Sequence, residues 1–354
     1  MGIAYLASMG SRLRLWQPGQ LYNVTSRCVD RQFLLKPNHM LGNPLLREDS
    51  DPDSLEPWNN LVPKPSMINI VGASIGRALE KYPVPIYFAE AQINHLHSSI
   101  GLNSPAQASN SKLVTSYDAS MFLQCTNSLI ARFVNKQCDR EGPVFSAAAR
   151  TEAIIDDAAA EEKLFYALTN PVKDGMVETV KQSPFFNTYR HLAYGDPLRY
   201  WFIDWHAWWL AGGFKNKRHR AKHYFKWTEF ELTPLPAWQD LTVTQRQTRV
   251  RVKVRELEEH YAELRKHKNR TVVGVSELFQ VDPRDRPQSP KKSGKQPLCH
   301  ASDPRLSHQF KKGWYEFVHE HRKASIDYRK GYYEREFPEG SFRPVIKEYY
   351  SAFL

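Results

Sequence analysis

The chain has 354 residues, 41% of them hydrophobic, with a mean hydropathy of -0.58 and a formal net charge of +11. No apolar run reaches the roughly 20 residues that a membrane helix needs, so composition argues against a membrane span. Four cysteines, Cys28, Cys125, Cys138 and Cys299, form no CxxC pair, which argues against a zinc ribbon or a disulfide scaffold.

The opening segment MGIAYLASMGSRLRLW is short for a signal peptide and its basic residues follow the apolar part. The sequence is therefore read as cytoplasmic. The charge is uneven: residues 1–200 carry 19 basic and 19 acidic side chains, residues 201–354 carry 30 and 19. A basic half joined to a neutral half points to a polyanion partner, nucleic acid first, with solubility as the other reading.

In chain order, LYNVTSRCV (21–29) alternates like a strand. Residues 37–66 hold several prolines and an acidic cluster without periodicity and are predicted to be an insertion or long loop. IVGASIGRALEKY (70–82) has helical spacing, VPIYFAEAQI (84–93) reads as a strand, and HLHSSIGL (95–102) as its neighbour. Residues 103–111 are predicted to be a loop. A helix is expected over 116–138, capped by Ser116, and another over 156–170 with an acidic first turn, closed by Pro171. WFIDWHAWW (201–209) is dense in aromatics, and FKNKRHRAKHYFK (214–226) has six basic residues and no acid. KWTEFEL (226–232) alternates like a strand, 242–270 is a charged helix in which RVRVKVR alone also fits a strand, 282–297 is a loop, and 307–331 is helical.

Two histidines stand two apart in INHLHSSI (93–100). On a strand, alternate side chains share a face, so His95 and His97 point the same way and suit a divalent cation. His319 and His321 have the same spacing in a predicted helix, where they diverge. In the basic run, Lys215, Lys217, Arg218, Arg220 and Lys222 are interleaved with aromatics such as Tyr224, a pattern that fits phosphate contacts and base stacking on single strands; a solvated basic loop is the alternative.

These pieces resemble, in order, the REP-associated tyrosine transposases of the HUH single-tyrosine superfamily. QPGQLYNVTSRC (17–28), with Arg27, is similar to the family's opening strand. INHLHSSI is similar to its His-x-His strand, GPVF (142–145) to the element after its helix, and FYALTNPVKDGMV (165–177) to its Asn-Pro-Val signature, the most specific match. The resemblance spans roughly 12–200, while PLCHA (297–301) and FPEGSFRP (337–344) are similar to an extension found in one subgroup.

The resemblance and the element order imply an α+β fold: a ferredoxin-like, split βαβ antiparallel sheet with helices on one face over 12–200, carrying the 37–66 insertion, and a largely helical basic extension over 201–354. The activity implied is metal-assisted cleavage and strand transfer on single-stranded, hairpin-bearing DNA through a 5′-phosphotyrosine, with Mg²⁺ or Mn²⁺ held by His95 and His97. Arg27, Lys215, Lys217, Arg218, Arg220, Lys222 and Tyr224 are the expected nucleic-acid contacts. A nucleoid-associated location follows, and monomer and homodimer both fit.

The resemblance places the nucleophile just before Ala-Arg-x-x-Asn on the 116–138 helix, where LIARFVN has Ile130. Tyr117, on the same helix 13 residues earlier and about 20 Å away along the axis, is the candidate that remains there. Asn127 and Gln137 share the face of Ile130 and are candidates to complete the metal site, Asn135 to tie the helix to the sheet, and Tyr166 to pack in the core. Two further readings stay open: a non-catalytic DNA-binding descendant, and an RNA-binding protein on the same scaffold.

Overall fold

A computed structural model describes residues 13–38, 65–102, 114–146, 148–213, 215, 221–288 and 297–341. The elements run β1 (Leu21–Arg27), α1 (Met67–Lys81), β2 (Ile86–Gln92), β3 (His95–Gly101), α2 (Ser116–Gln137), β4 (Arg150–Ile154), α3 (Asp157–Lys173), α4 (Tyr189–Tyr194) and β5 (Arg199–Ile203). There follow α5 (Trp205–Leu210), β6 (Phe225–Glu229), α6 (Val243–His267), α7 (Val275–Gln280), β7 (Cys299–His300) and α8 (Pro304–Arg329). Most of the 37–66 insertion, all of 103–111 and part of 282–297 lie outside the described residues.

The protein is mixed α+β. Its main sheet has the order β2-β3-β1-β4-β7. The pairs β1–β3, β2–β3 and β1–β4 are antiparallel, and β4–β7 is parallel. Side-chain parity sorts the residues of each strand. Tyr22, Val24, Leu96 and Ile100 point to one face, into a core with Ile75 of α1 and Phe122, Ile130 and Val134 of α2. Leu21, Phe88 and Ile154 point to the other, into a core with Leu164 and Leu168 of α3 and Val250 and Val254 of α6. The expectation of helices on one face is therefore corrected. Enough apolar positions of both parities exist for two cores, and helices cover both.

Local chemistry explains the boundaries. Thr115, one residue before the expected cap, caps α2 in a reciprocal box with Asp118. Asp156 caps α3 and also accepts from the backbone N–H and hydroxyl of Ser302, which anchors the β7 segment. Helix α3 does not stop at Pro171 but runs on to Lys173. Proline removes one helical hydrogen bond, yet Pro171 is buried and Asp174 N–H still reaches the Asn170 carbonyl. RTEAI (150–154) is a strand that sequence patterning missed, because only its last two residues are buried. RVRVKVR is helical, within α6.

Residues beyond 200 fold back on the first unit. The β5–β6 ribbon packs on α1, where Gly72 and Gly76 leave no room for a Cβ beneath Tyr200 and Thr228. Asn69 of α1 closes the joint by bonding both backbone groups of Trp201. On the opposite side α6 lies along α3, with Arg249 gripping Glu161 through two nitrogens and Arg265 donating to the Val172 carbonyl. All four cysteines are free thiols. No helix among the described residues is long and apolar enough to cross a membrane.

Ile130 is fully buried in the α1–α2 core. Ile130→Ala should lower the unfolding free energy by about 2–5 kcal/mol, measured by urea titration followed by circular dichroism. A loss under about 1 kcal/mol would contradict this placement.

Candidate functional site

His95 and His97 share the sheet face covered by α3. Their rings meet edge to face with centroids 4.7 Å apart. Strand register sets their neighbours: Arg27 and Gln92 flank His95, while Thr25 and Glu90 flank His97. The Asn94 amide donates to the Arg31 carbonyl, which turns its oxygen toward His95 Nδ1 at 2.7 Å. His95 therefore carries its proton on Nδ1 and presents a free lone pair on Nε2. His97 Nδ1 lies 3.0 Å from the Thr25 hydroxyl.

Helix α3 supplies the opposing wall. Lys163, Tyr166, Asn170 and Lys173 recur at helical spacing and form one stripe. The Tyr166 ring stands edge-on to His97 at 6.3 Å and remains 38% exposed. Lys173 Nζ lies 3.9 Å from the Tyr166 ring centroid and Lys163 Nζ 5.4 Å.

Several polar groups here lack partners. Both oxygens of Glu90, both amide atoms of Asn170 and Nε2 of Gln92 are buried without a hydrogen bond among the described residues. Buried polar groups are normally paired, so a cluster of orphans beside two histidines is a site prepared for water or an ion.

The electrostatics follow from burial and crowded cations. Burial, then His97 and Arg27, hold His95 well below the usual imidazole range. Burial lowers His97 to about 4; Glu152 opposes this, while Arg27, Lys163 and Lys173 add to it. Burial foremost, then Asp174, raises Glu90 well above the usual carboxylate range, with the nearby Asn170 amide opposing. Burial, then Asp174 and Glu90, raise the Tyr166 phenol, and Arg27 opposes them. At neutral pH the site thus holds neutral imidazoles and a phenol, and burial disfavours the charged form of Glu90.

The donor set fits a divalent cation. Neutral imidazoles oriented through Nδ1 are the ligating form, and Asn170 offers an unused amide oxygen. Among the described residues no group of three His, Cys, Asp or Glu side chains forms a metal cluster. His95 and His97 are the residues that would hold the ion, which would act there as a Lewis acid.

Other sequence-derived candidates stand elsewhere. Ile130 and Asn127 lie on the opposite sheet face, where Asn127 donates to the Ser26 hydroxyl. Tyr117 is 54% exposed and packs edge-on against Tyr82 of the α1 end. Gln137 lines a small cleft with Leu34, Met67 and Phe279. Asn135 ties the end of α2 to the Gly142 turn rather than to the sheet. None of these joins the histidines, because β3 turns its odd-numbered side chains away from α2. Arg27 does belong to the site. Lys217, Arg218, Arg220 and the Lys222 side chain lie outside the described residues; Lys215 is exposed and Tyr224 half-buried.

The expectation that Tyr166 packs in the core is corrected, since it stands 38% exposed beside His97; patterning overlooked Lys163, Asn170 and Lys173, although their common helical spacing was a usable signal. Glu152 and His300 add a further pair on this side of the sheet, 2.5 Å apart and contributed by β4 and β7.

No family model and no curated protein matches the sequence. A solved structure of a REP-associated tyrosine transposase bound to a REP hairpin is similar at 16% identity, over 53% of this chain and 87% of that one, with a TM-score of 0.32. The likeness is distant.

His97 titrates in the unfolded chain near 6.5 but in the fold only near 4. Between those values the unfolded state binds the extra proton, so stability is full above about 6.5 and falls as pH drops toward 4. The loss is on the order of 3 kcal/mol. His97→Gln should make the urea midpoint fall less steeply across this window; an unchanged slope would contradict the assignment.

Proposed function

We propose that the chain binds single-stranded, hairpin-bearing DNA and cleaves and rejoins it through Tyr166, with a divalent metal on His95 and His97. The observation that carries this reading is the placement of the Tyr166 ring against His97 on one polar sheet face. The phenol oxygen would bond to phosphorus as the P–O3′ bond breaks; the phenolic proton leaves and the 3′ oxygen departs as a hydroxyl. The phosphotyrosine keeps the bond energy, so the step can run backwards.

Several features support the reading. The order β2-β3-β1-β4, antiparallel throughout, fits the ferredoxin-like split βαβ arrangement expected from the resemblance. Arg27 is half-buried and has no ion pair among the described residues. Burial, then Arg150 and Arg31, lowers its pKa, a setting that favours a phosphate. The basic balance of residues 201–354 suits a polyanion.

The test is a labelled hairpin oligonucleotide incubated with the protein and Mn²⁺, then denatured. A covalent protein–DNA band is expected, lost in Tyr166→Phe, reduced at least about 100-fold in His95→Ala and retained in Tyr117→Phe. A band that survives Tyr166→Phe would remove the nucleophile assignment. Binding without a band in the wild type would leave a DNA-binding protein without cleavage.

A further inference from the structure

Two arginines on the polar sheet face have no counter-charge. Arg27 ends β1 and Arg150 begins β4. By parity Arg27 lies with Leu21 and Arg150 with Ile154, on the face covered by α3. Register pairs Arg150 with Thr25, so Arg27 is its diagonal neighbour, about 7–8 Å away between backbones and within reach of a long side chain. Among the described residues neither guanidinium makes a hydrogen bond, ion pair or ring contact. Arg27 is half-buried and Arg150 exposed. Burial is the first cause that lowers the Arg27 pKa, and the charge of Arg150 is the next.

The acid that could neutralise Arg150 is occupied. Glu152 stands two residues along β4 on the same face, but it pairs with His300 of β7 and accepts from the Asn23 amide. Toward the reaction centre, Arg27 lies opposite His95 in register, and its charge reaches the Tyr166 phenol. Like charges on neighbouring strands repel, and a half-buried guanidinium without acceptors leaves its donors idle. One anion that accepts from both removes both costs. A phosphate suits them, because each planar fork can grip a pair of its oxygens.

We infer that Arg27 and Arg150 together hold a second phosphate of the bound single strand, beside the one that Tyr166 attacks. The strand would then cross the sheet from β3 over β1 toward β4. The other direction is closed, since Phe186 and Asn187 bond along the edge of β2. The inference rests on the nucleic-acid reading above and deepens it, by giving the strand a course and Arg150 a role.

The experiment is fluorescence anisotropy of labelled oligo(dT) with the full chain in EDTA, repeated over a series of salt concentrations. The wild type is expected to bind. Arg27→Gln and Arg150→Gln should each weaken binding several-fold. The double variant should make the slope of log K against log salt shallower by about 0.7, the value for one phosphate on a single strand. A change of twice that would mean two separate phosphates and overturn the shared site. Without DNA, the urea midpoint of Arg150→Gln should be unchanged or higher, because a repulsion is removed. A lower midpoint would mark Arg150 as a structural residue and overturn the inference. Wild-type affinity and slope in the double variant would overturn it too, and leave the Tyr166 reading standing. Weakened binding in the double variant, with no covalent band from the wild type, would sustain the phosphate site and remove the nucleophile. Failure of the wild type to bind any single strand would overturn both. If sulfate raises the urea midpoint of the wild type but not of the double variant, while oligo(dT) binds both equally, the pair holds a free anion and the strand assignment falls.

Discussion

Side-chain parity along β3 organises this molecule. The strand is hydrogen-bonded on both sides and covered by helices on both faces, so each residue faces one environment or the other. Odd positions carry His95, His97 and Ser99; even positions carry Leu96, Ser98 and Ile100. A slip of one residue would bury the imidazoles under α2 and turn Leu96 and Ile100 toward Tyr166. The flanking strands keep the same parity through register, which is why Thr25, Arg27, Glu90 and Gln92 join the histidines. A polar sheet face then requires a helix with a polar stripe, and α3 has one.

Alternation in HLHSSI and the helical spacing of 116–138 and 156–170 were enough to place the histidines on one face of a strand between helices. They could not say which helix covers that face. Parity is a local property, but the handedness of each crossover and the choice of face emerge from the whole sheet. Ile130 and Tyr166 both lie on helices that follow β3, and only the assembled sheet separates them. The short β4 had too few buried positions to register, and β7 consists of two residues paired with a distant strand, without a pattern of its own. Pro171 misled for a simpler reason: a buried proline near a helix end forfeits one hydrogen bond, and packing in the core compensates.

The orientation of Tyr166 depends on how α3 is held from behind. Val250 and Val254 of α6 are completely buried against it, and Arg249 and Arg265 grip its two ends. Exposed ion pairs contribute about 0–1 kcal/mol each, so the valines supply most of the hold while the arginines fix the angle. The basic half of the chain thus serves the first half structurally as well as through its charge.

The pairing of β4 with β7 also sets an order of events during synthesis. Strands β1 to β4 can associate as soon as they are made, but the outer edge of β4 stays open until residues 299–300 arrive. Closing so long a loop for a two-residue pairing is slow relative to the local contacts, and an open strand edge invites association with other chains. The Ser302 clamp on Asp156 secures that last strand at the start of α3. Each newly made chain therefore passes through an interval in which its sheet is assembled but still adhesive along one side, and the interval ends only when the last third of the polypeptide docks.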